Sequence, residues 1–518
     1  MKVPLTHWRS QGMTHFLYLD DGLGAAPSYS QCLSDSAQVR ADLFQLGLIE
    51  QPEKCLWVPS QRVLWLGFHV DLFTFSISIP SDKISKLLQA LRTALSSPTT
   101  TCRDLLRLAG LFCSLSLVFG PLPLMLSKPL YRCSNHFLSS GHSYRFSFPT
   151  PPSISATLKN WLSIIPRLPI SRHLFISYPT FLCFSDASAT GGAALIHRLS
   201  PAQSSDCGLP IFTHTLVRKY RTYGCGPAAG AELGNSLDSI LSALHQTFAD
   251  IDTSYLHEQP APHCMCIVPW SPEDRTTSST YRELKALVYG VSSLLPHLTG
   301  HLVYWATDNQ AVEAIMTKGS MNPDLNALAL SAITLAQEKQ FHLLVFWIPR
   351  TLNTAADSFS RILDPDDWAI SPSLFADLNS RWGPYTVDRF SSHLTAQLPN
   401  FNSRWACPGT SGVDCFMFHW GSDNNWLVPP PPLIPRVLTH LRLCQASGTL
   451  LAPLWRSAPW WPLLFPYTQP ASFVLDYQLI SPGAPHILSG PQEHSIFRPE
   501  YFHGDLIAIR ISFGPSSP

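Results

Sequence analysis

The strongest constraint on this chain is the placement of four acidic residues, Asp186, Glu283, Asp308 and Asp357, against the apolar runs that precede or surround them. Residues 181–185 form a short apolar run that ends at Asp186, followed by small residues and Gly191-Gly192. That pattern predicts a strand, a turn and a second strand through Ile196. Tyr281, Leu284, Leu287, Val288, Val291 and Leu295 recur at helical spacing, which puts Glu283 in the first turns of a helix. Residues 302–307 are strand-like, with Asp308 at the carboxyl end, where open α/β sheets hold their ligands. Asn322-Pro323 suits an N-cap and first helical position, opening a helix to about Lys339. Residues 341–348 read as another strand, and Asn353 caps a last helix with Asp357 in its early turns. The predicted order is strand, strand, insertion, helix, strand, helix, helix, strand, helix.

Physical chemistry limits what such acids can do together. Two carboxylates about 4 Å apart repel by roughly 4 kcal/mol at an effective dielectric near 20. A converging quartet therefore calls for a cation, or one member takes up a proton. Taken singly, two of the acids have simpler roles open to them. Glu283 can form a capping box with Thr280, and Asp357 can favour its own helix N-terminus. The order of elements and acids together resembles a ribonuclease H domain of the retroelement type. Asn353 and the block Asp357-Ser358-Phe359-Ser360-Arg361 are similar to the motif that ends such domains in retrotransposons. The resemblance implies that Asp186, Glu283, Asp308 and Asp357 bind two Mg²⁺ ions and that the substrate is an RNA–DNA hybrid. Mg²⁺ prefers carboxylate oxygen, and a metal pair suits in-line phosphodiester cleavage.

The N-terminal stretch carries a second family signal. Tyr18-Leu19-Asp20-Asp21 follows an apolar Phe16-Leu17 and resembles the polymerase signature of reverse transcriptases, on a hairpin tip. Leu64-Trp65-Leu66-Gly67-Phe68 resembles a primer-grip hairpin, and residues 80–95 read as a helix in the place of a thumb. Residues 1–19 contain no Asp or Glu, so the third polymerase carboxylate is missing and the palm reads as its C-terminal half alone. An acidic β-turn is the plainer role for Asp20 and Asp21.

After Arg361 the sequence resembles the segment that follows ribonuclease H in tyrosine-recombinase retrotransposons of the DIRS group, itself similar to phage-type DNA adenine methyltransferases. The carriers are Trp382-Gly383-Pro384-Tyr385-Thr386-Val387-Asp388-Arg389-Phe390, Trp420 and Val428-Pro429-Pro430-Pro431-Pro432. In those enzymes a polar residue precedes Pro-Pro and an aromatic follows; here Val428 and Pro431 stand in those places. S-adenosylmethionine is therefore not an expected cofactor, and a degenerate α/β domain is.

The 518 residues suit about three domains, and a 45% hydrophobic share can build their cores. Lys+Arg and Asp+Glu balance at 35 each, so a nucleic-acid partner would need local basic patches. Thirteen cysteines without regular pairing suggest a reducing compartment. His263-Cys264-Met265-Cys266 is a weak zinc signal. Residues 108–126 lack any charge, yet Gly120-Pro121 interrupts them, so a buried broken helix fits better than a membrane span. No secretory signal is visible, which makes the expected location cytoplasmic or nuclear rather than secreted.

The combined expectation is a multidomain α/β and α+β chain from a DIRS-type retrotransposon polyprotein, truncated at its N-terminus. Its parts are a half palm over 1–80, a thumb or connection over 81–150 and a ribonuclease H-like mixed sheet with flanking helices over 175–363. A methyltransferase-like remnant over 364–467 and a disordered tail over 468–518 complete it. The insertion at 199–276 holds Tyr223-Gly224-Cys225-Gly226-Pro227 and a helical run near 236–248, and the third sheet strand is hard to place within it. Expected partners are nucleic acid and other proteins of the same element, with no membrane. A catalytically silent nucleic-acid-binding remnant and a membrane-associated protein using residues 108–126 are the alternatives.

Overall fold

A computed structural model describes residues 2–19, 21–173, 176–177, 179–199, 209–210, 262–362, 364, 367–488 and 495–514. They fall into two compact units. The first runs to Ser177 and includes Leu209–Pro210; the second holds the remainder.

In the first unit, strands Thr14–Tyr18 and Asp21–Ala25 pair antiparallel, with Tyr18 opposite Asp21. The predicted primer-grip segment is also a hairpin, Arg62–Trp65 against Phe68–Asp71, turning through Leu66 and Gly67 at φ of 50° and 74°. Two successive positive φ angles match the twist of a tight hairpin. The helix expected at 80–95 spans Ser81–Ser96 and buries Leu87 and Leu91. The uncharged stretch is a broken helical run, Cys102–Cys113, Ser116–Phe119 and Leu122–Leu126. Gly120, at φ 68°, makes the expected break before Pro121, and an earlier one falls at Ser114-Leu115. Among the described residues no helix is long and apolar enough to cross a membrane.

The second unit contains two mixed five-stranded sheets. The first is built from β1 (Phe181–Ala187), β2 (Gly191–Arg198), β3 (Met265–Pro269), β4 (Leu302–Thr307) and β5 (His342–Trp347), in the order β3-β2-β1-β4-β5. The strands β3, β2 and β1 run antiparallel, while β1, β4 and β5 are parallel. Its helices are α1 (Ser279–Ser293), α2 (Gln310–Lys318), α3 (Pro323–Glu338) and α4 (Thr354–Ser360). As predicted, Asn322 caps α3, accepting from the backbone N–H groups of Asp324 and Leu325. The third strand, hard to place from sequence, is β3 at the end of the insertion; the Gly-rich run at 223–227 and the helical run at 236–248 lie outside the described residues.

The strands β1 and β4 are buried along their length, as parallel strands covered on both faces should be. Close packing sets the distance of α1 from the sheet. A Cβ on Gly290 would run into Ala194 and come within 2.8 Å of the Trp305 ring. Trp305 is fully buried there and donates from Nε1 to Ser185 Oγ at 2.9 Å, which satisfies the polar end of a large apolar side chain.

The second sheet comprises β6 (Val387–Asp388), β7 (Asn424–Leu427), β8 (Ser447–Pro453), β9 (Val474–Ile480) and β10 (Leu506–Ser512), ordered β6-β7-β8-β10-β9. Here the expectation of a disordered tail over 468–518 is corrected for its described residues, 468–488 and 495–514. β10 pairs with β8 through Ser447↔Ser512 to Pro453↔Leu506, and Leu506, Ala508, Ile509 and Ile511 are fully buried. Alternation at Leu506, Ala508 and Arg510 against Ile507, Ile509 and Ile511 is weak because both faces are covered, which hides the strand among prolines and serines. This second body also extends the edge of the first sheet: Ala406 N–H donates to the Met265 carbonyl at 3.0 Å. That contact protects an edge strand that would otherwise offer unpaired backbone groups.

Candidate metal centre

Three of the four acids expected to act together converge. Asp186 on β1, Glu283 in the second turn of α1 and Asp308 just after β4 each offer a carboxylate oxygen, and these oxygens lie within 4.8 Å of one another. Asp186 and Glu283 are buried. The capping-box role for Glu283 is excluded locally, because Ser278 is the N-cap and accepts from the Tyr281 N–H. Instead α1 begins two residues earlier and carries Glu283 inward toward β1.

Asp308 is positioned by the strand end and the cap beyond it. Asn309 accepts from the backbone N–H groups of Ala311 and Val312, starting α2 directly after the acid. Trp347 Nε1 donates to the Asp308 carbonyl at 2.9 Å, tying the end of β4 to β5.

The fourth acid, Asp357, lies on α4 and faces two cations. Its Oδ1 accepts from Arg350 at 2.9 Å and from Arg361 at 2.7 Å. Arg350 also approaches Asp308, with Nε 4.0 Å from Oδ2. Asp357 therefore borders the group of three through a shared arginine.

Helix α4 is fastened to β1 and its turn by hydrogen bonds that sequence reasoning missed. Ser360 Oγ donates to Asp186 Oδ2 at 2.7 Å. Asn353 Nδ2 donates to the Ser185 carbonyl at 3.0 Å, and Ser188 Oγ donates to the Ser360 carbonyl at 2.8 Å. Asn353 does occupy the N-cap position, but its side chain reaches β1 and makes no capping bond. Close approach is needed here too, since a Cβ on Gly191 would lie 3.1 Å from the Ser360 carbonyl. Ser360 stood within the Asp357–Arg361 block that carried the resemblance, but nothing in the sequence paired it with Asp186.

The electrostatics follow from burial and like charge. Burial first, then Asp186 and Asp308, push the Glu283 carboxyl up to about 9. Burial likewise raises Asp186 to about 6, against the Ser360 hydrogen bond and with help from Asp308 and Asp357. Asp308 is raised mainly by burial, with Arg350 opposing. Asp357 goes the other way: burial opposes ionisation, but hydrogen bonds from Arg350 and Arg361 prevail and hold its carboxyl below the usual range. Glu283 Oε2 is buried with no hydrogen-bond partner. A buried, unpartnered carboxylate oxygen costs free energy unless a cation or a proton meets it. An all-oxygen donor set of this kind fits a hard divalent ion such as Mg²⁺.

Asp21 is exposed at the start of its strand, and Asp20 lies outside the described residues. Cys266 is buried inside β3 and Cys264 precedes it in a short helical turn; among the described residues they join no metal-ligand group. Val428 and Pro431 are both buried, and Val428 packs with Trp368 and Trp426 in an apolar cluster.

No protein-family model and no curated protein matches the chain. Among solved structures, a foamy viral protease-reverse transcriptase dRH form in complex with double-stranded DNA matches 67% of this chain and 48% of that chain, at 12% identity and TM-score 0.30. The foamy viral protease-reverse transcriptase in complex with double-stranded DNA gives 67%, 57%, 13% and 0.29 on the same measures. Its complex with an RNA/DNA hybrid gives 69%, 60%, 12% and 0.27, so the chain spans less than two thirds of each of these structures.

Proposed function

We propose that this chain is a ribonuclease H-type nuclease within a reverse-transcriptase-derived polypeptide of the DIRS group, and that it hydrolyses the RNA strand of RNA–DNA hybrids. The observation that carries this reading is the convergence of Asp186, Glu283 and Asp308 with a buried Glu283 oxygen left unpartnered. Asp186, Glu283, Asp308 and Asp357 would hold two Mg²⁺ ions. When bound, such ions activate a water and stabilise the leaving oxygen of an in-line phosphodiester cleavage.

The chain's own residues have distinct parts in this. Ser360 keeps Asp186 oriented and charged through its hydrogen bond. Burial of Asp186 and Glu283 keeps bulk water from competing for the cation. Arg282, beside Glu283, donates to the carbonyls of Ala189 and Arg275, which leaves its positive charge available to a backbone phosphate.

The test is cleavage of a labelled RNA strand, annealed to DNA, by the purified chain with Mg²⁺, with single-stranded RNA as control. Selective, Mg²⁺-dependent cutting of the hybrid supports the reading. A second reading, a catalytically silent nucleic-acid-binding remnant, draws on Asp357, whose carboxylate is already engaged by two arginines. Hybrid binding without cleavage would favour it.

A further inference from the structure

The site contains a cation of its own. Arg350 stands on the short turn Arg350–Leu352 between β5 and α4. Its Nη2 is 2.9 Å from Asp357 Oδ1, and its Nε is 4.0 Å from Asp308 Oδ2. These are two of the four proposed metal ligands, on different elements, and one guanidinium spans them. Arg361 binds the same Asp357 oxygen at 2.7 Å, but the charges acting on Asp308 come from Arg350 and Asp357.

We infer that Arg350 is a built-in competitor for the divalent cation, bridging Asp308 and Asp357 in the metal-free protein and withdrawing when both acids ligate an ion. This rests on the metal-centre reading above. The side chain is 70% exposed, so it can swing into solvent without disturbing the core. Exposed ion pairs are weak, so a divalent ion can displace it. A guanidinium does not lose its proton in proteins, so withdrawal is the only way it can yield the site. Both cations cannot occupy the space between Asp308 and Asp357, because like charges at that range repel strongly. The device sets a threshold: occupancy requires enough divalent ion to outbid a tethered cation, and the protein avoids leaving two bare carboxylates side by side meanwhile.

The experiment is a Mn²⁺ titration of the full chain, followed by calorimetry and by the loss of free-ion paramagnetic resonance, for wild type, Arg350→Gln and Arg361→Gln. Circular dichroism checks that each variant is folded. Arg350→Gln is expected to bind Mn²⁺ about fivefold more tightly than wild type, and Arg361→Gln by a clearly smaller factor. Equal or weaker binding by Arg350→Gln would overturn the inference and make Arg350 a residue that orients the acids. Equal gains in both arginine variants would also overturn it, by reducing the effect to general charge. If none of the three chains binds Mn²⁺, the metal-centre reading itself fails and takes this inference with it.

Discussion

Ser360 and Asp186 are 174 positions apart in sequence and share a buried hydrogen bond of 2.7 Å, hydroxyl to carboxylate. The bond joins the last helix of the first sheet's body to its first strand, at one of the four proposed metal ligands. It favours the charged form of Asp186, against the burial that raises its carboxyl to about 6.

Ser360→Ala should therefore raise the Asp186 pKa further and weaken Mn²⁺ binding. The variant should lose about 1 kcal/mol of stability, a fall in Tm of about 2–4 °C for a body of this size. Differential scanning calorimetry and a metal titration check both parts. A Tm drop with unchanged metal affinity would leave Ser360 a purely structural role.

The pH dependence of the metal-free protein has a definite sign. The folded-state pKa of Glu283 is raised from 4.5 to about 9, so the folded chain holds a proton that the unfolded chain has released. The associated stability is full below pH about 4.5 and is lost as pH climbs toward about 9, with Asp186 adding to the early part of the decline. Tm without metal should fall across that window, and Glu283→Gln should flatten the fall. Saturating Mg²⁺ should raise Tm more at pH about 8.5 than at about 6, since it meets the charge that burial disfavours. A metal-free Tm that rises through this range would contradict the account.

The alternation of strands and helices around the four acids was legible because the apolar runs are bounded by signals: Asp186 after residues 181–185, Asp308 after residues 302–307, Asn322-Pro323 before α3. What could not be read was tertiary. Arg350 lies seven residues before Asp357, and only folding of the short turn brings it between Asp308 and Asp357. The strand β3 hid in the insertion because its five residues, Met265–Pro269, form a short apolar run buried on both faces, with no alternation to mark it as a strand. β10 was missed because its sequence is apolar on both faces and follows a Pro- and Ser-rich stretch, so neither alternation nor composition marked it. Asp20 and Asp21 illustrate the reverse: a four-residue motif was easy to see, yet Asp21 sits exposed on a two-stranded hairpin.

Cleavage should occur without polymerisation. The proposed nuclease acids all lie within 186–357, whereas among the described residues Asp21 joins no group of acids that could hold an ion. A lost metal ligand removes several kcal/mol of charge stabilisation, and each 1.36 kcal/mol is about tenfold in rate. One labelled primer–template with an RNA template, incubated with Mg²⁺ and deoxynucleotides, reads both activities. Primer extension by the isolated chain would mean that a third carboxylate comes from elsewhere in it.

Methyl transfer should be absent. The resemblance to adenine methyltransferases would put Val428 and Pro431 where a base is held and stacked, and both are buried residues with neither a polar nor an aromatic side chain. Incorporation of labelled methyl from S-adenosylmethionine into duplex DNA, above a protein-free control, would overturn this.

The central claim is tested most directly by comparing wild type with Asp308→Asn on an RNA–DNA hybrid carrying a labelled RNA strand, in the same Mg²⁺. Asp308→Asn removes one of the three converging carboxylates and relieves like-charge repulsion. The account predicts that wild type cuts the RNA strand, that the variant loses at least about a hundredfold of that rate, and that its metal-free Tm holds or rises. A variant that cuts the hybrid as fast as wild type would contradict the assignment of this cluster as the catalytic metal centre.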